Sequence, residues 1–200
     1  DYVDLLQVHD VEFGDVEQII QETIPAMRRL QEQGKVRYIG VTGYPLKPLI
    51  RIAEATPVDC ILSYCRHTLL TDDMDSILLP VAEKLGIGVI NASPLLMGVL
   101  TNHSAPTWHP ASKEVRAAAH EAAKFCSDHG EDLAEVALRF CLQSTRVAST
   151  LVGMSTTEQV RKNLHTLLTP VDEQIMNRVS AILAPVYNKT WASGRQENQD

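Results

Sequence analysis

The 200-residue sequence lacks the patterns that most directly assign a chain to a class of protein. No run approaches the roughly 18 uninterrupted apolar residues of a membrane-spanning helix. The chain has no GxGxxG dinucleotide fingerprint, no GxSxG nucleophile elbow and no Walker A loop. We therefore expect neither a membrane protein nor a Rossmann dinucleotide domain. The sequence also does not support a serine hydrolase with a nucleophile elbow or a P-loop nucleotide hydrolase.

Metal-ligating spacings and an excess of positive charge are also missing. The cysteines form no C-x-x-C pair, and the seven histidines show neither H-x-H nor H-E-x-x-H spacing, so no metal site is expected. The net charge of −7 and the pI of about 5.5 argue against a nucleic-acid partner. No basic-then-apolar leader is visible, and we expect reduced thiols in a cytoplasmic protein. The cysteines are Cys60, Cys65, Cys126 and Cys141.

The sequence does contain a regular alternation of apolar runs and helical patterns. Five runs predict strands, and each is followed by at least one helix. Such alternation predicts an all-parallel sheet, either open and doubly wound or closed into a barrel. The predicted strands cover residues 1–8, 35–42, 58–63, 87–92 and 147–152, and the predicted helices residues 15–33, 46–55, 74–85, 112–129, 132–143, 157–168 and 171–183.

An eight-stranded barrel typically needs about 250 residues, so five units would be only part of one. The sequence begins without Met and inside a strand pattern, which favours a barrel with about three units missing upstream. The open sheet stays the alternative at this point.

His9 ends the first predicted strand between polar neighbours. The carboxyl ends of parallel strands are where α/β folds place their chemistry. A functional histidine is one interpretation, and a structural polar cap at the strand end is the other.

Two turns have the composition of anion sites. Ser93–Gly98 follows the fourth strand directly, and Gly153–Thr157 leads from the fifth strand into a helix that carries Gln159 and Asn163. Backbone amides at a helix N-terminus bind phosphate groups. An ordinary loop in the first case, and a simple helix cap in the second, are the alternatives. The long irregular stretch 93–112 at the fourth strand's end is typical of a binding loop or lid.

Four segments together resemble the aldo-keto reductases. They are DYVDLLQVH at 1–9, GKVRYIGVT at 34–42, GIGVINASPL at 86–95 and the stretch 151–163, in the family's order. Further matches at 11–14, 61–65, 108–112 and 190–194 resemble the L-galactose dehydrogenase branch. The resemblance implies a (β/α)₈ TIM barrel of which residues 1–200 form strands four to eight as one domain, with residues 184–200 as a C-terminal tail.

The resemblance also implies hydride transfer between a sugar carbon and a nicotinamide cofactor. Of the family's catalytic Asp, Tyr, Lys and His, only the histidine matches this chain, at His9. Tyr44 and Tyr64 match no catalytic position. The chain as written is therefore expected to be incompetent for full catalysis, because the proton-transferring Tyr and its Lys are missing.

The implied cofactor contacts lie after the second to fifth strands. The family's cation for the 2′-phosphate of NADP has no counterpart at 153–159, so NAD is expected, with Arg161 and Lys162 leaving NADP as the alternative. Ala92 stands where the family usually has an aromatic ring against the nicotinamide. The implied contacts are Thr42, Gly43, Ser63, Ser93, Pro94, Leu95, Gly98, Gly153, Met154, Ser155, Gln159, Lys162 and Asn163.

For the substrate, the resemblance implies a small sugar such as L-galactose, oxidised to its lactone. Asp10 beside His9 would bind sugar hydroxyls, and Trp108 and Trp191 would form walls of the sugar site. A helix-entry cap and packing against the barrel rim are the respective alternatives. A general aldehyde- or ketone-reducing enzyme and a non-catalytic truncated form are the alternative functions. No oligomeric state is assigned.

Overall fold

The computed structural model describes residues 1–103, 105–170 and 172–200. Within them, five parallel strands form one sheet in the order in which they occur in the chain. The strands are β1 Val3–Val8, β2 Val36–Gly43, β3 Cys60–Tyr64, β4 Gly88–Ala92 and β5 Ser149–Leu151. A doubly wound sheet reverses its strand order at a switch point. The order seen here is that of a β/α barrel, so the open doubly wound alternative is wrong for the described sheet.

Eight α-helices are found in the described residues, connecting and following the strands. The first and third predicted helices each contain a π-helical segment, Ile19–Thr23 and Met74–Leu78, which leads into a helix with proline in its first turn. Proline lacks the N–H that a regular helix needs at this point. The helices are α1 Val16–Gln18, α2 Ile24–Glu32, α3 Leu46–Ala55, α4 Leu79–Leu85, α5 Lys113–Asp128, α6 Leu133–Leu142, α7 Thr157–Leu168 and α8 Glu173–Leu183.

The predicted strands and helices are confirmed, with shifts at their ends. The largest differences among the strands are at β1 and β3, which each begin two residues later than predicted, and at β5, which is three residues long instead of six. The predicted start of the last helix, residue 171, lies outside the described residues. Residues 93–112 form only a short 3₁₀ turn, Leu96–Gly98, and otherwise irregular backbone where described.

The sheet has one covered face and one open face. Ile39, Ile61 and Val89 point towards the helices and are buried in the core, whereas Tyr38 and Leu62 on the other face are exposed or half-buried. Successive side chains of a strand alternate between the faces. The open face, which corresponds to a barrel interior, therefore carries every second residue of each strand.

A second core lies beyond the carboxyl ends of the strands. It joins α5, α6 and α8 to the loop after β4 and to the end of the chain. The guanidinium of Arg116 on α5 donates hydrogen bonds to four carbonyl oxygens of this loop, those of Ala105, Pro106, His109 and Ala111. The irregular loop is thus held to a helix. None of the helices in the described part of the chain is long and apolar enough to cross a membrane.

Candidate functional site

A cleft of about 390 Å³ opens at the carboxyl ends of the first four strands. It contains four of the residues predicted from the sequence: His9, Asp10, Thr42 and Ser93. They meet because parallel strands end at the same edge of a sheet. The remaining lining residues are Gln7, Leu62, Tyr64 and Ala92.

The turn after β1 places His9 and Asp10 side by side. Asp10 adopts a left-handed conformation with φ 50°, which Asp tolerates better than most residues. Its backbone N–H donates to Thr42 Oγ1 at 3.1 Å, and its Oδ2 lies 3.2 Å from His9 Nδ1. The His9 side chain is 81% exposed. The ring is therefore oriented at one nitrogen and accessible at the other.

A second cavity of about 440 Å³ lies between the loop after β4 and the first turn of α7. It contains five predicted cofactor contacts, which are Leu95, Gly153, Gln159, Lys162 and Asn163. Its other polar lining includes Thr156, which lies in the turn Gly153–Thr157 that the sequence predicted as an anion site. Sequence reasoning missed the remaining polar residues, which come from the long loop, from the start of α6 and from the first turn of α7. They are Thr101, Asn102, His103, Asp132, Glu135 and Glu158.

The segment Ser93–Leu95 connects the two spaces. Ser93 lines the cleft, and Leu95, two residues further along, lines the second cavity. Pro94 between them is buried. A ligand in contact with both residues would therefore span the cleft and the second cavity.

The N-terminus of α7 is closed by the cap that the sequence offered as an alternative. Thr156 Oγ1 accepts from the backbone N–H of Gln159 at 3.2 Å, and Gln159 Oε1 accepts from the N–H of Ser155 at 2.7 Å. Such reciprocal bonds satisfy donors at the start of a helix. The cap does not remove the helix dipole, so the first turn still favours a negative group in the cavity.

Lys162, the one cation lining the second cavity in the described chain, is already paired. Its ammonium group contacts the carboxylate of Asp132 and lies 3.5 Å from Glu135 Oε1. The hydrogen bond to Asp132 raises the pKa of Lys162 above its ordinary value. Arg161 does not line the cavity. With Glu158 also present, the cavity carries more negative than positive charge.

Two predicted cofactor contacts lie on the helix-facing side of the sheet. Ser63 is fully buried, and its hydroxyl has no hydrogen-bond partner among the described residues. A Cβ atom on Gly43 would lie 2.7 Å from Oε2 of Glu12. Thr42 and Leu62, one residue earlier on each strand, face the cleft instead. The cleft therefore does not contain Ser63 or Gly43.

The other predicted residues lie outside both spaces. Gly98 belongs to the 3₁₀ turn, and Met154 and Ser155 are exposed before α7. Trp108 is 68% exposed and lines neither space. Trp191 stacks on Tyr44 with ring centroids 4.5 Å apart, so it packs against the rim, the alternative that the sequence left open.

Sequence reasoning gave no role to Glu12 and little weight to Tyr64. Tyr64 lines the cleft, and its hydroxyl donates to Glu12 Oε1 at 3.2 Å. Burial, together with the Glu12 and Asp10 carboxylates, raises the pKa of Tyr64 well above its ordinary value. The phenol is thus neutral. The only sequence signal for Glu12 was its place in the matched segment 11–14.

The described residues show no metal centre. No group of three or more His, Cys, Asp or Glu side chains among them is placed to hold a metal ion. All four cysteines are free.

Comparisons with known proteins show which family the sequence resembles. The family model described as the aldo/keto reductase family matches residues 1–184. The chain is 43% identical to L-galactose dehydrogenase from Arabidopsis thaliana over 99% of this chain and 64% of that protein. It is 28% identical to D-arabinose 1-dehydrogenase from Saccharomyces cerevisiae over 96% of this chain and 63% of that protein. The chain thus spans less than two thirds of the length of these relatives.

Solved structures show the same fold. The holo form of an aldo-keto reductase from Bacillus halodurans matches all of this chain and 65% of its own, with a TM-score of 0.71 at 21% identity. A glycerol dehydrogenase from Gluconobacter oxydans matches 98% of this chain and 62% of its own, with a TM-score of 0.67 at 22% identity. Because the family match covers residues 1–184, we conclude that the chain belongs to the aldo/keto reductase family.

Proposed function

We propose that the chain is the part of an NAD-dependent sugar dehydrogenase that contains strands four to eight of its barrel. The substrate is a sugar such as L-galactose, oxidised to its lactone. The observation that carries the proposal is the meeting of His9, Asp10 and Thr42 in one cleft, whose lining residue Ser93 is two residues from Leu95 in the lining of the cavity at α7. The 43% identity to L-galactose dehydrogenase supports the choice of sugar.

The residues present fit a nicotinamide dinucleotide, the cofactor that aldo-keto reductases generally use. Ser93, two residues from the lining of the second cavity, offers its hydroxyl to the pyrophosphate. The carboxylates of Asp132, Glu135 and Glu158 accept hydrogen bonds from ribose hydroxyls. When bound, the cofactor supplies a hydride acceptor at C4 of its nicotinamide ring.

Unmodified NAD suits the second cavity better than NADP. A 2′-phosphate would enter a space with three carboxylates, where the ammonium group of Lys162 is already paired. Like charges in such a space repel, and a phosphate needs free Arg or Lys donors.

In the cleft, we assign His9 to the orientation of the reacting sugar oxygen. Its contact with the Asp10 carboxylate fixes one ring nitrogen, which leaves the other available to the substrate. Asp10 also accepts hydrogen bonds from neighbouring hydroxyls of the sugar. Tyr64 does not serve as the proton-transferring phenol in this proposal, because its hydroxyl proton is directed at Glu12.

The proton itself must then move through groups outside this sequence. The Tyr, Lys and Asp that the family resemblance implies match no residue of this chain. We therefore propose that residues 1–200 alone do not turn over substrate. The free cysteines fit a reducing compartment such as the cytoplasm.

The test is an assay of the full-length natural protein with L-galactose and L-fucose against oxidised NAD and NADP, and with small aldehydes against NADH and NADPH. We expect NADH to form fastest with a sugar and NAD. Faster turnover of small aldehydes, or a preference for NADP, would replace this proposal by that of a general carbonyl reductase. No turnover with any pair would support a non-catalytic protein.

A further inference from the structure

Glu12 is a fully buried carboxylate at the first turn after β1, with 0% of its surface exposed. Its Oε1 accepts three hydrogen bonds: from the N–H of Tyr44 at 3.1 Å, from the hydroxyl of Tyr64 at 3.2 Å and from the hydroxyl of Ser193 at 3.5 Å. These donors come from the end of β2, from the end of β3 and from residues 187–200, the C-terminal segment. One oxygen atom thus joins three distant parts of the chain.

Two glycines make this arrangement sterically possible. A Cβ on Gly43 would lie 2.7 Å from Glu12 Oε2, and a Cβ on Gly194 would lie 2.4 Å from the Glu12 carbonyl oxygen. That carbonyl accepts from Arg195 N at 3.0 Å and from Asn198 Nδ2 at 2.9 Å. The C-terminal segment therefore forms hydrogen bonds with both the backbone and the side chain of Glu12.

The arrangement is a poor way to gain stability. Glu12 Oε2 is buried without a hydrogen-bond partner among the described residues. A buried, incompletely paired carboxylate costs free energy relative to an apolar side chain of similar size. Such exceptions call for a reason other than packing.

Tyr64 connects Glu12 to the cleft. Its ring lines the cleft, and its Cα partner in the parallel register is Ala92 on β4. Because the side chain of Ala92 is small, Tyr64 contributes the larger side chain to this part of the cleft lining. The ring also lies 5.5 Å from the ring of Tyr44, which itself stacks on Trp191 of the C-terminal segment.

We propose that Glu12 is a positioning residue: held by the C-terminal segment, it fixes the Tyr64 ring as the wall against which the nicotinamide ring packs. This rests on the proposed function. A dinucleotide with its adenosine half in the second cavity passes along Ser93–Leu95 and enters the cleft beside Ala92 and Tyr64. The nicotinamide half therefore meets this wall, and the ADP-ribose half does not.

The experiment compares two ligands in the full-length natural protein. Isothermal titration calorimetry gives dissociation constants for NAD and for ADP-ribose, which lacks the nicotinamide ring. Tyr64→Phe keeps the ring and removes its bond to Glu12. Gly194→Ala displaces the C-terminal segment from Glu12. Gly34→Ala is the matched control, because Gly34 also has a positive φ, and no atom of the described residues lies within 4 Å of the added methyl group.

We expect Tyr64→Phe and Gly194→Ala each to raise the NAD dissociation constant about three- to tenfold, with ADP-ribose binding unchanged. The double variant should have the same NAD dissociation constant as the single variant that binds NAD less tightly. The effects do not add, because both changes disrupt the same interaction between Glu12 and Tyr64. Gly34→Ala should change neither constant.

Unchanged NAD binding in Tyr64→Phe, in a protein that binds both ligands, would overturn this proposal alone. Tyr64→Phe therefore tests the role of Glu12 by itself, even if Gly194→Ala has lost the binding of ADP-ribose as well. A wild-type protein that binds neither ligand would overturn the proposed function, and this proposal with it.

Discussion

At the scale of single residues, the site depends on which face of a strand a side chain occupies. The sequence placed Thr42, Gly43 and Ser63 at strand ends, and all three are there. It could not fix the face, because a shift of one residue moves a side chain to the opposite side of the sheet. Of these three residues, only Thr42 lines the cleft, and Leu62 lines it where Ser63 was expected.

Asp10 allows a direct test of sugar binding. Replacing Asp10 by Asn keeps a residue that tolerates the left-handed backbone and removes the charge. Because charged acceptors bind hydroxyls more strongly, we expect KM for the sugar to rise several-fold, or about 1 kcal/mol. Steady-state kinetics of the full-length protein check this, with Asp128→Asn at an exposed position of α5 as the control. An unchanged KM would remove Asp10 from the substrate site.

The buried thiols make stability depend on alkaline pH. Burial raises the pKa of Cys65 from 9.0 to about 12. Above pH 9 the unfolded chain loses this proton while the folded chain keeps it, so the free energy of unfolding falls as pH rises from 9 towards 12. Each such thiol contributes a slope of about 1.4 kcal/mol per pH unit.

Urea unfolding of wild type and Cys65→Ala between roughly pH 9 and 11 measures this contribution. The free energy of unfolding of the variant should fall less steeply with pH than that of wild type. The two slopes should differ by up to about 1.4 kcal/mol per pH unit, whatever the stability of the variant at pH 7. Parallel curves for the two proteins would show that this thiol does not titrate differently on folding.

At the scale of secondary-structure elements, periodicity was sufficient to locate the strands and helices. The apolar stripe of residues 15–33 identified a helix but gave no sign of the π-helical turn before Pro25. The burial of Glu12 was also invisible, because its partners Ser193 and Asn198 are 181 and 186 residues away in the chain. Local sequence shows helical faces and caps, whereas contacts of this separation exist only in the folded chain.

The end of β2 is predicted to be intolerant of a methyl group. Gly43→Ala would force the new Cβ against Glu12 Oε2, so we expect a loss of about 1–3 kcal/mol in the free energy of unfolding. Gly88→Ala at the start of β4 is the matched control, since within the described part of the chain its Cβ would meet only the carbonyl oxygen of Asp59, at 3.8 Å. Chemical denaturation of the full-length protein compares the two. Equal effects would mean that the contact with Glu12 relaxes without cost.

At the scale of the whole molecule, charge around the second cavity is expected to select the cofactor. Asp132→Asn keeps a good N-cap for α6 and removes a charge beside Lys162. The lysine can then pair with a phosphate, so we expect NADP binding to strengthen relative to NAD by roughly fivefold, or about 1 kcal/mol. Titration calorimetry with both cofactors measures the ratio. Asp128 is an exposed residue on α5, and Asp128→Asn should leave this ratio unchanged. An unchanged ratio in Asp132→Asn would show that Lys162 does not determine which cofactor binds.

We propose that the cleft at the strand ends oxidises a sugar with NAD and that His9 orients the reacting oxygen. The most direct measurement is the rate of NADH formation from L-galactose by the full-length protein and its His9→Ala variant, with His129→Ala on the far end of α5 as the control. We predict that wild type and control form NADH, that His9→Ala is slower by roughly 100-fold, and that NAD binding is unchanged. If wild type forms no NADH, the cleft is not that of an NAD-dependent sugar dehydrogenase. If wild type and His9→Ala form NADH at equal rates, His9 does not orient the reacting oxygen.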